Sequence, residues 1–246
     1  MTLFFICSWA CFLIFAWLIS KKFDYTKPHI GIILLFIFFG CLSVLAPTFT
    51  NTILAEKTQL SYYGMDPVTT ALSMWLGPGL CEELSKMICV LLPMSLLFLL
   101  DVKIGKHGRI LYAVIVAMTF SIIENLIYAT WMELSDIQMI RRGCTAVPLH
   151  ASMGYMHGIA INVAFSKRSI VPLLVGFFVT SILHAFYNAS PQIIYMLVSS
   201  LTDLTVIKNE LMLKMISWVM IPTVCFYSAF CCIHWLRINE LSEEIE

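Results

Sequence analysis

The sequence predicts an all-α fold, a polytopic transmembrane helical bundle of about eight spans (seven or eight) forming one domain over residues 1–246. Three observations predict it. Apolar residues make up 60% of the 246 and charged residues 12%, whereas a soluble domain carries roughly 45–50% and about 25%. Apolar runs long enough to cross a bilayer recur along the whole chain. The charges that do fall inside those runs are confined to a few positions. The net charge is zero, which gives no footing for nucleic-acid binding. The partner this composition predicts is the lipid bilayer.

The spans follow from the apolar runs in order. The first covers about Thr2–Ser20; it has no basic n-region or small-residue cleavage site, so it reads as a retained helix rather than a signal peptide. The second covers about Ile30–Phe49. The third is long, Val68 to Leu100, with "GPG" at Gly77–Gly79 dividing a lead-in or re-entrant segment from the span proper. The fourth is about Ile110–Trp131, the fifth Gly143–Phe165 and the sixth Ile170–Asn188. A weaker seventh covers Ile193–Ile207, and the last Met215–Leu236. The nine cysteines lie mostly inside these runs with no CxxC spacing, and read as packing residues.

Basic residues set the orientation. Loops after the odd helices hold Lys21, Lys22, Lys27, Lys103, Lys106, Arg109, Lys167 and Arg168. Loops after the even ones hold only Lys57, Arg141 and Arg142. The first set belongs in the cytoplasm and the N-terminus outside. Arg141 and Arg142 read as interfacial anchors.

A charge at the bilayer centre costs roughly 2.5–3.5 kcal/mol on insertion scales, so each one inside a span needs a reason. They are Glu82, Glu83 and Lys86 in helix three, Glu124 beside Asn125 in helix four, His150 and His157 in helix five, and His184 near Asn188 in helix six. Counted from the helix ends, Glu83, Glu124, His150 and His184 all sit about 6–10 Å below the outer boundary, at 1.5 Å per residue. Four antiparallel helices thus place an ionisable group in one layer. Partners one turn away reinforce it: Lys86 for the glutamates, Tyr128 for Glu124, and Asn188 for His184. Gly154, one turn from His150, leaves room for a neighbour or a substrate to approach closely, and His157 reads as a satisfied packing residue. The break at "GPG" and the space at Gly154 together suggest a wet cavity open to the non-cytoplasmic side.

These segments resemble the PrsW family of intramembrane proteases, itself related to the CAAX prenyl protease and Abi group. The resemblance rests on "EELSK" (Glu82–Lys86), "FSIIENLIY" (Phe120–Tyr128), "HASMG" (His150–Gly154) and "HAFYN" (His184–Asn188), in the family's order over residues 77–188. The PrsW pattern often ends in Asp where this chain has Asn188; the prenyl protease group has Asn there.

The resemblance implies an intramembrane endopeptidase in a bacterial cell membrane, cutting in or near a substrate's transmembrane segment. It implies Glu82 or Glu83 as the base, Glu124 and His150 positioning water, and His184 with Asn188 as oxyanion hole. Lys86, Asn125 and Tyr128 support them. Glu82 is the preferred base, with Glu83 left to pair with Lys86 or to cap neighbouring backbone. A glutamic mechanism without a cofactor is favoured. Zinc on Glu124, His150 and His184 is the alternative.

Two other classes use the same layer: a non-catalytic scaffold holding a transmembrane partner, and a transporter or proton relay. A scaffold tolerates Glu→Gln at both glutamates. A transporter should show inverted repeats, and none is visible.

Overall fold

The computed structural model describes residues 30–58, 66–131 and 136–201. The expected first and last spans, and the end of the seventh, lie outside these residues. Within them every regular element is helical and there is no strand: α1 (Ile30–Leu42), α2 (Leu45–Thr58), α3 (Pro67–Met74), α4 (Leu80–Leu99), α5 (Lys106–Trp131), α6 (Asp136–Lys167) and α7 (Val171–Leu201). Three stretches are long and apolar enough to cross a membrane, Ile30–Asn51, Lys106–Thr130 and Val171–Ile194.

The expected second span is interrupted. Helix α1 ends at a turn over Ser43 and Val44, and α2 restarts with Pro47 in its first turn, where a missing N–H costs nothing. The turn is tied down on both sides. Ser43 Oγ donates to the Gly40 carbonyl at 2.6 Å, and the Ser43 carbonyl accepts from Ser85 Oγ of α4 at 2.6 Å.

Asp66 starts α3 as N-cap. Its side chain accepts from the Val68 and Thr69 amides, with Pro67 at the first helical position. The sequence reading placed a break at "GPG"; the backbone instead stays helical. Trp75–Gly79 winds as one π-helical turn containing Pro78, then passes directly into α4. The wider turn accommodates a residue without an N–H. Glycine is required at its end: a Cβ on Gly79 would lie 2.7 Å from the Ser181 carbonyl of α7. Trp75 Nε1 donates to Ser181 Oγ at 3.1 Å beside this approach. The π turn therefore docks the start of α4 onto α7, which fixes Glu82 relative to His184.

Helix α4 is inverted relative to a soluble helix. Leu84, Ile88, Leu92 and Leu96 form an exposed stripe at four-residue spacing, while Glu82, Glu83 and Lys86 are buried. A helix bathed in lipid turns its charges inward in this way.

The apolar core lies between α1, α4, α5 and α6, around Phe36, Val90, Met94, Tyr112, Val116 and Ile161. Phe36 stacks on Tyr112 with ring centroids 4.3 Å apart. Helix α6 closes on α5 through Gly154 and Gly158, one turn apart. A Cβ on Gly154 would meet the Ala113 carbonyl at 2.7 Å, and one on Gly158 would meet Ile110 Cα at 2.5 Å. The room expected at Gly154 for water is thus filled by α5: the glycines serve helix–helix contact.

The sixth and seventh expected spans are joined within the described residues. Helix α7 runs from Val171 to Leu201 through Pro191. Pro191 cannot donate to the carbonyl four residues back, Tyr187, and Ser190 Oγ donates there instead at 3.1 Å. A neighbouring serine commonly repairs a proline inside a membrane helix in this way. Helix α6 likewise begins at Asp136, seven residues before the expected Gly143, and α5 at Lys106 rather than Ile110.

Candidate active site

Four helices bring their polar residues to one buried point. Helix α4 contributes Glu82, Glu83 and Lys86; α5 contributes Glu124 and Asn125; α6 contributes His150 and His157; and α7 contributes His184.

The glutamate pair divides at once. Adjacent helical residues point about 100° apart. Glu83 turns into the bundle and is saturated on one oxygen: Oε1 accepts from Lys86 Nζ at 2.5 Å and from His184 Nδ1 at 2.7 Å. Glu82 turns to the other side of the same histidine, with Oε2 3.5 Å from His184 Nε2. The i,i+3 partner of Lys86 is therefore Glu83. Lys86 also reaches His150 Nδ1 at 2.8 Å and sits 4.5 Å from the Phe120 ring centre. The imidazoles of His150 and His184 meet edge to face, 5.0 Å between centroids.

The hydrogen bonds fix the tautomers. Glu83 accepts through Oε1, so His184 carries a proton on Nδ1. Its Nε2 lies on the side of Glu82 Oε2, which makes no hydrogen bond. Lys86 only donates, so neutral His150 carries its proton on Nε2, towards Glu124 Oε2 at 3.5 Å.

Two residues read differently from the sequence belong to this cluster. Arg142, expected as an interfacial anchor, lies 3.2 Å from Glu124 Oε2 through Nη2, and its Nε donates to Asn125 Oδ1 at 2.7 Å. Its guanidinium sits 3.8 Å from the centre of the Tyr128 ring. His157, expected as a packing residue, pairs with Thr180 Oγ1 at 2.8 Å and lies 3.5 Å from Glu83 Oε2. The signal for Arg142 was the charge count. Glu82, Glu83 and Glu124 outnumber Lys86, and a second buried cation was owed. Asn188 lies half-buried one turn beyond His184 and takes no part in the hydrogen-bonded cluster.

A metal fits these residues once His150 Nδ1 is released by Lys86, which occupies it at 2.8 Å without an ion. One donor atom from each of Glu82, His150 and His184 lies within 4.8 Å of the others, and all three are buried. Glu82 Oε2 and His184 Nε2 stand 3.5 Å apart without a hydrogen bond, close enough to share a cation or a proton. Three carboxylates against two cations leave one negative charge in excess, which burial makes costly and which a bound cation or a proton relieves. The trio differs from the expected zinc set in having Glu82 in place of Glu124, which faces His150 and Arg142.

No match is found among curated proteins or among solved structures. A family model described as PrsW family intramembrane metalloprotease matches residues 28–225. It extends past the motif-bearing stretch on both sides and covers every helix that contributes to the site. On that match, with the apolar spans and buried polar cluster described above, the chain belongs to the PrsW family and is an integral membrane protein and an intramembrane protease.

Proposed function

We propose that this protease hydrolyses a peptide bond in or near the transmembrane segment of a membrane-protein substrate, at the point where Glu82, Glu124, His150 and His184 meet. We further propose that it does so as a metalloenzyme. The observation that carries this is the buried trio of Glu82, His150 and His184, whose donor atoms lie within 4.8 Å of one another. Glu82, His184 and His150 would hold the ion, zinc by donor type, with Lys86 giving up His150 Nδ1 to it. When bound, such an ion polarises a carbonyl and makes water nucleophilic near neutral pH.

The chain's own groups then have distinct tasks. Glu83 holds His184 in one tautomer by accepting its Nδ1 proton, the carboxylate–histidine arrangement that orients ligands in metal sites. Lys86 neutralises Glu83 and occupies His150 Nδ1 when no ion is there. Glu124 faces the Nε2 proton of His150 and is the group placed to receive a proton and later return it to the leaving amine. His184 and Asn188 as an oxyanion hole, the role the prenyl protease resemblance implies, require His184 to be free of metal. That arrangement belongs to the glutamic reading, in which Glu82 is the base.

The site's depth supports cleavage towards the non-cytoplasmic side. Lys106, Arg109 and Lys167 gather at one end of α5 and α6, where Arg109 donates to Asn162 at 3.3 Å. Glu124 lies 15 residues along α5 from Arg109, about 22 Å at 1.5 Å per residue. By the positive-inside rule the basic end is cytoplasmic, which leaves the site near the opposite face, the N-terminus outside and the substrate cut in its outer third.

The test uses the purified full chain in proteoliposomes with single-span reporter peptides. Metal content is measured per chain for wild type and Glu82→Gln. The expected result is about one ion per wild-type chain, lost together with cleavage in the variant. Cleavage should stop on chelation and return with zinc. Cleavage that survives complete metal removal would establish the glutamic mechanism instead.

A further inference from the structure

The cluster has one open edge. The side chains of Glu83, Lys86, His150 and His184 are 0–2% exposed, whereas Glu124 is 14% and Arg142 18% exposed. Arg142 is held at this edge by a single turn of α5. Glu124, Asn125 and Tyr128 give it an ion pair at 3.2 Å, a hydrogen bond at 2.7 Å and a ring face at 3.8 Å. An anchor at the lipid headgroups would point away from the bundle and needs only a charge. This guanidinium points inward, and all three contacts use features that lysine lacks: a planar face and separated N–H donors. The oxygen it meets, Glu124 Oε2, is the one that faces His150 Nε2 at 3.5 Å.

We propose that Arg142 is a positioning residue for proteolysis, holding the Glu124 carboxylate against His150 at the open edge of the site. The proposal rests on the role given to Glu124 above. Removing Arg142 leaves the Glu82, His150 and His184 donors in place but frees Glu124 to rotate. The defect belongs to turnover rather than to substrate binding or metal retention.

The experiment compares wild type, Arg142→Gln, Arg142→Lys and Arg142→Ala in the proteoliposome assay, using a fluorophore–quencher single-span peptide that wild type cleaves. Arg142→Gln should lower kcat about 10–100-fold, the usual cost of losing an outer-shell partner, with KM and metal per chain close to wild type. Arg142→Lys should recover only part of this. Millimolar guanidinium should restore Arg142→Ala, since the vacated position is reachable from the open edge. Unchanged kcat in Arg142→Gln overturns the proposal. So does a loss accompanied by lowered metal content or thermal stability that guanidinium does not reverse, which would mark a structural role. Glu82→Gln is run in parallel. Full activity there overturns the site assignment itself, whereas full activity of Arg142→Gln beside an inactive Glu82→Gln overturns only the positioning role.

Discussion

The two ends of the α5–α6 pair are built on opposite principles. Towards its N-terminal half α5 is gripped by backbone proximity. Gly158 and Gly154 admit Ile110 and Ala113, and Phe36 stacks on Tyr112 beside them. Towards the other end the same two helices are linked by charge, with Arg142 on Glu124 and Asn125, and His150 facing Glu124. The first end leaves no space. The second keeps buried oxygens without hydrogen bonds, Oε2 of Glu82, Glu83 and Glu124. In lipid, apolar contact does little to drive helices together, and close packing supplies the cohesion. Each unbonded polar atom left in such a site is a cost to stability. One end therefore secures the fold, and the other spends stability on chemistry.

The largest expected effect breaks the polar end alone. Glu82→Gln keeps shape and removes charge, and should lower cleavage on the order of 10³-fold. Thermal unfolding should not fall, and a rise is consistent with relief of the excess negative charge. His184→Ala should behave the same in activity, and should also leave Glu83 with only Lys86 on Oε1. Parallel measurements of cleavage and thermal stability check both. A Glu82→Gln protein that is inactive because it unfolds would erase the distinction between the ends.

The reverse experiment breaks the apolar end. Gly158→Leu forces a side chain against the Ile110 backbone, where no flexible tip can yield. Overpacking of this kind costs about 1–3 kcal/mol, occasionally more. The expected result is a lower unfolding temperature, with the kcat of the surviving folded fraction close to wild type. A variant that stays fully stable yet loses turnover would mean that the glycine end also tunes the site.

This contrast also explains what the sequence could and could not disclose. The polar layer was legible because lipid makes every buried charge conspicuous. Glu82, Glu83, Lys86, Glu124, His150 and His184 stood out against apolar neighbours, and periodicity alone sufficed to bring them to one depth. Helix ends were less legible. Ser190 repairs the proline gap in α7 and the π turn absorbs Pro78, and both local repairs depend on three-dimensional placement. Arg142 was missed because it lies near a predicted helix start, where a cation has a ready explanation in the headgroups. Only the tertiary approach of α5 shows it pointing inward. At Gly154 the sequence left two occupants open, a neighbour or a substrate, because an absent side chain looks the same whichever takes the space; the structure puts α5 there.

The smallest expected effect sharpens the comparison with a charge outside both ends. Asp66 is fully exposed and caps α3, the short helix whose π turn leads to Glu82. Its carboxyl is held below the ordinary aspartate value, first by the Thr69 hydroxyl and then by the Thr69 amide. A group whose folded value is lowered contributes fully above its ordinary value, about 3.9, and loses that contribution as pH falls through the folded one. Hydrogen-exchange protection of the amides at the start of α3, taken relative to the intrinsic rate at each pH, should therefore fall on acidification below about pH 4. Asp66→Asn keeps a capping oxygen without a titrating proton, so its protection should be nearly independent of pH in that range. Asp66→Ala should show the lower protection at every pH. Cleavage at neutral pH should change little in either variant, because the cap lies at the far end of α3 from the π turn that docks on Ser181. A large loss of cleavage in Asp66→Asn would instead show that the register of α3 is transmitted through Trp75–Gly79 to Glu82.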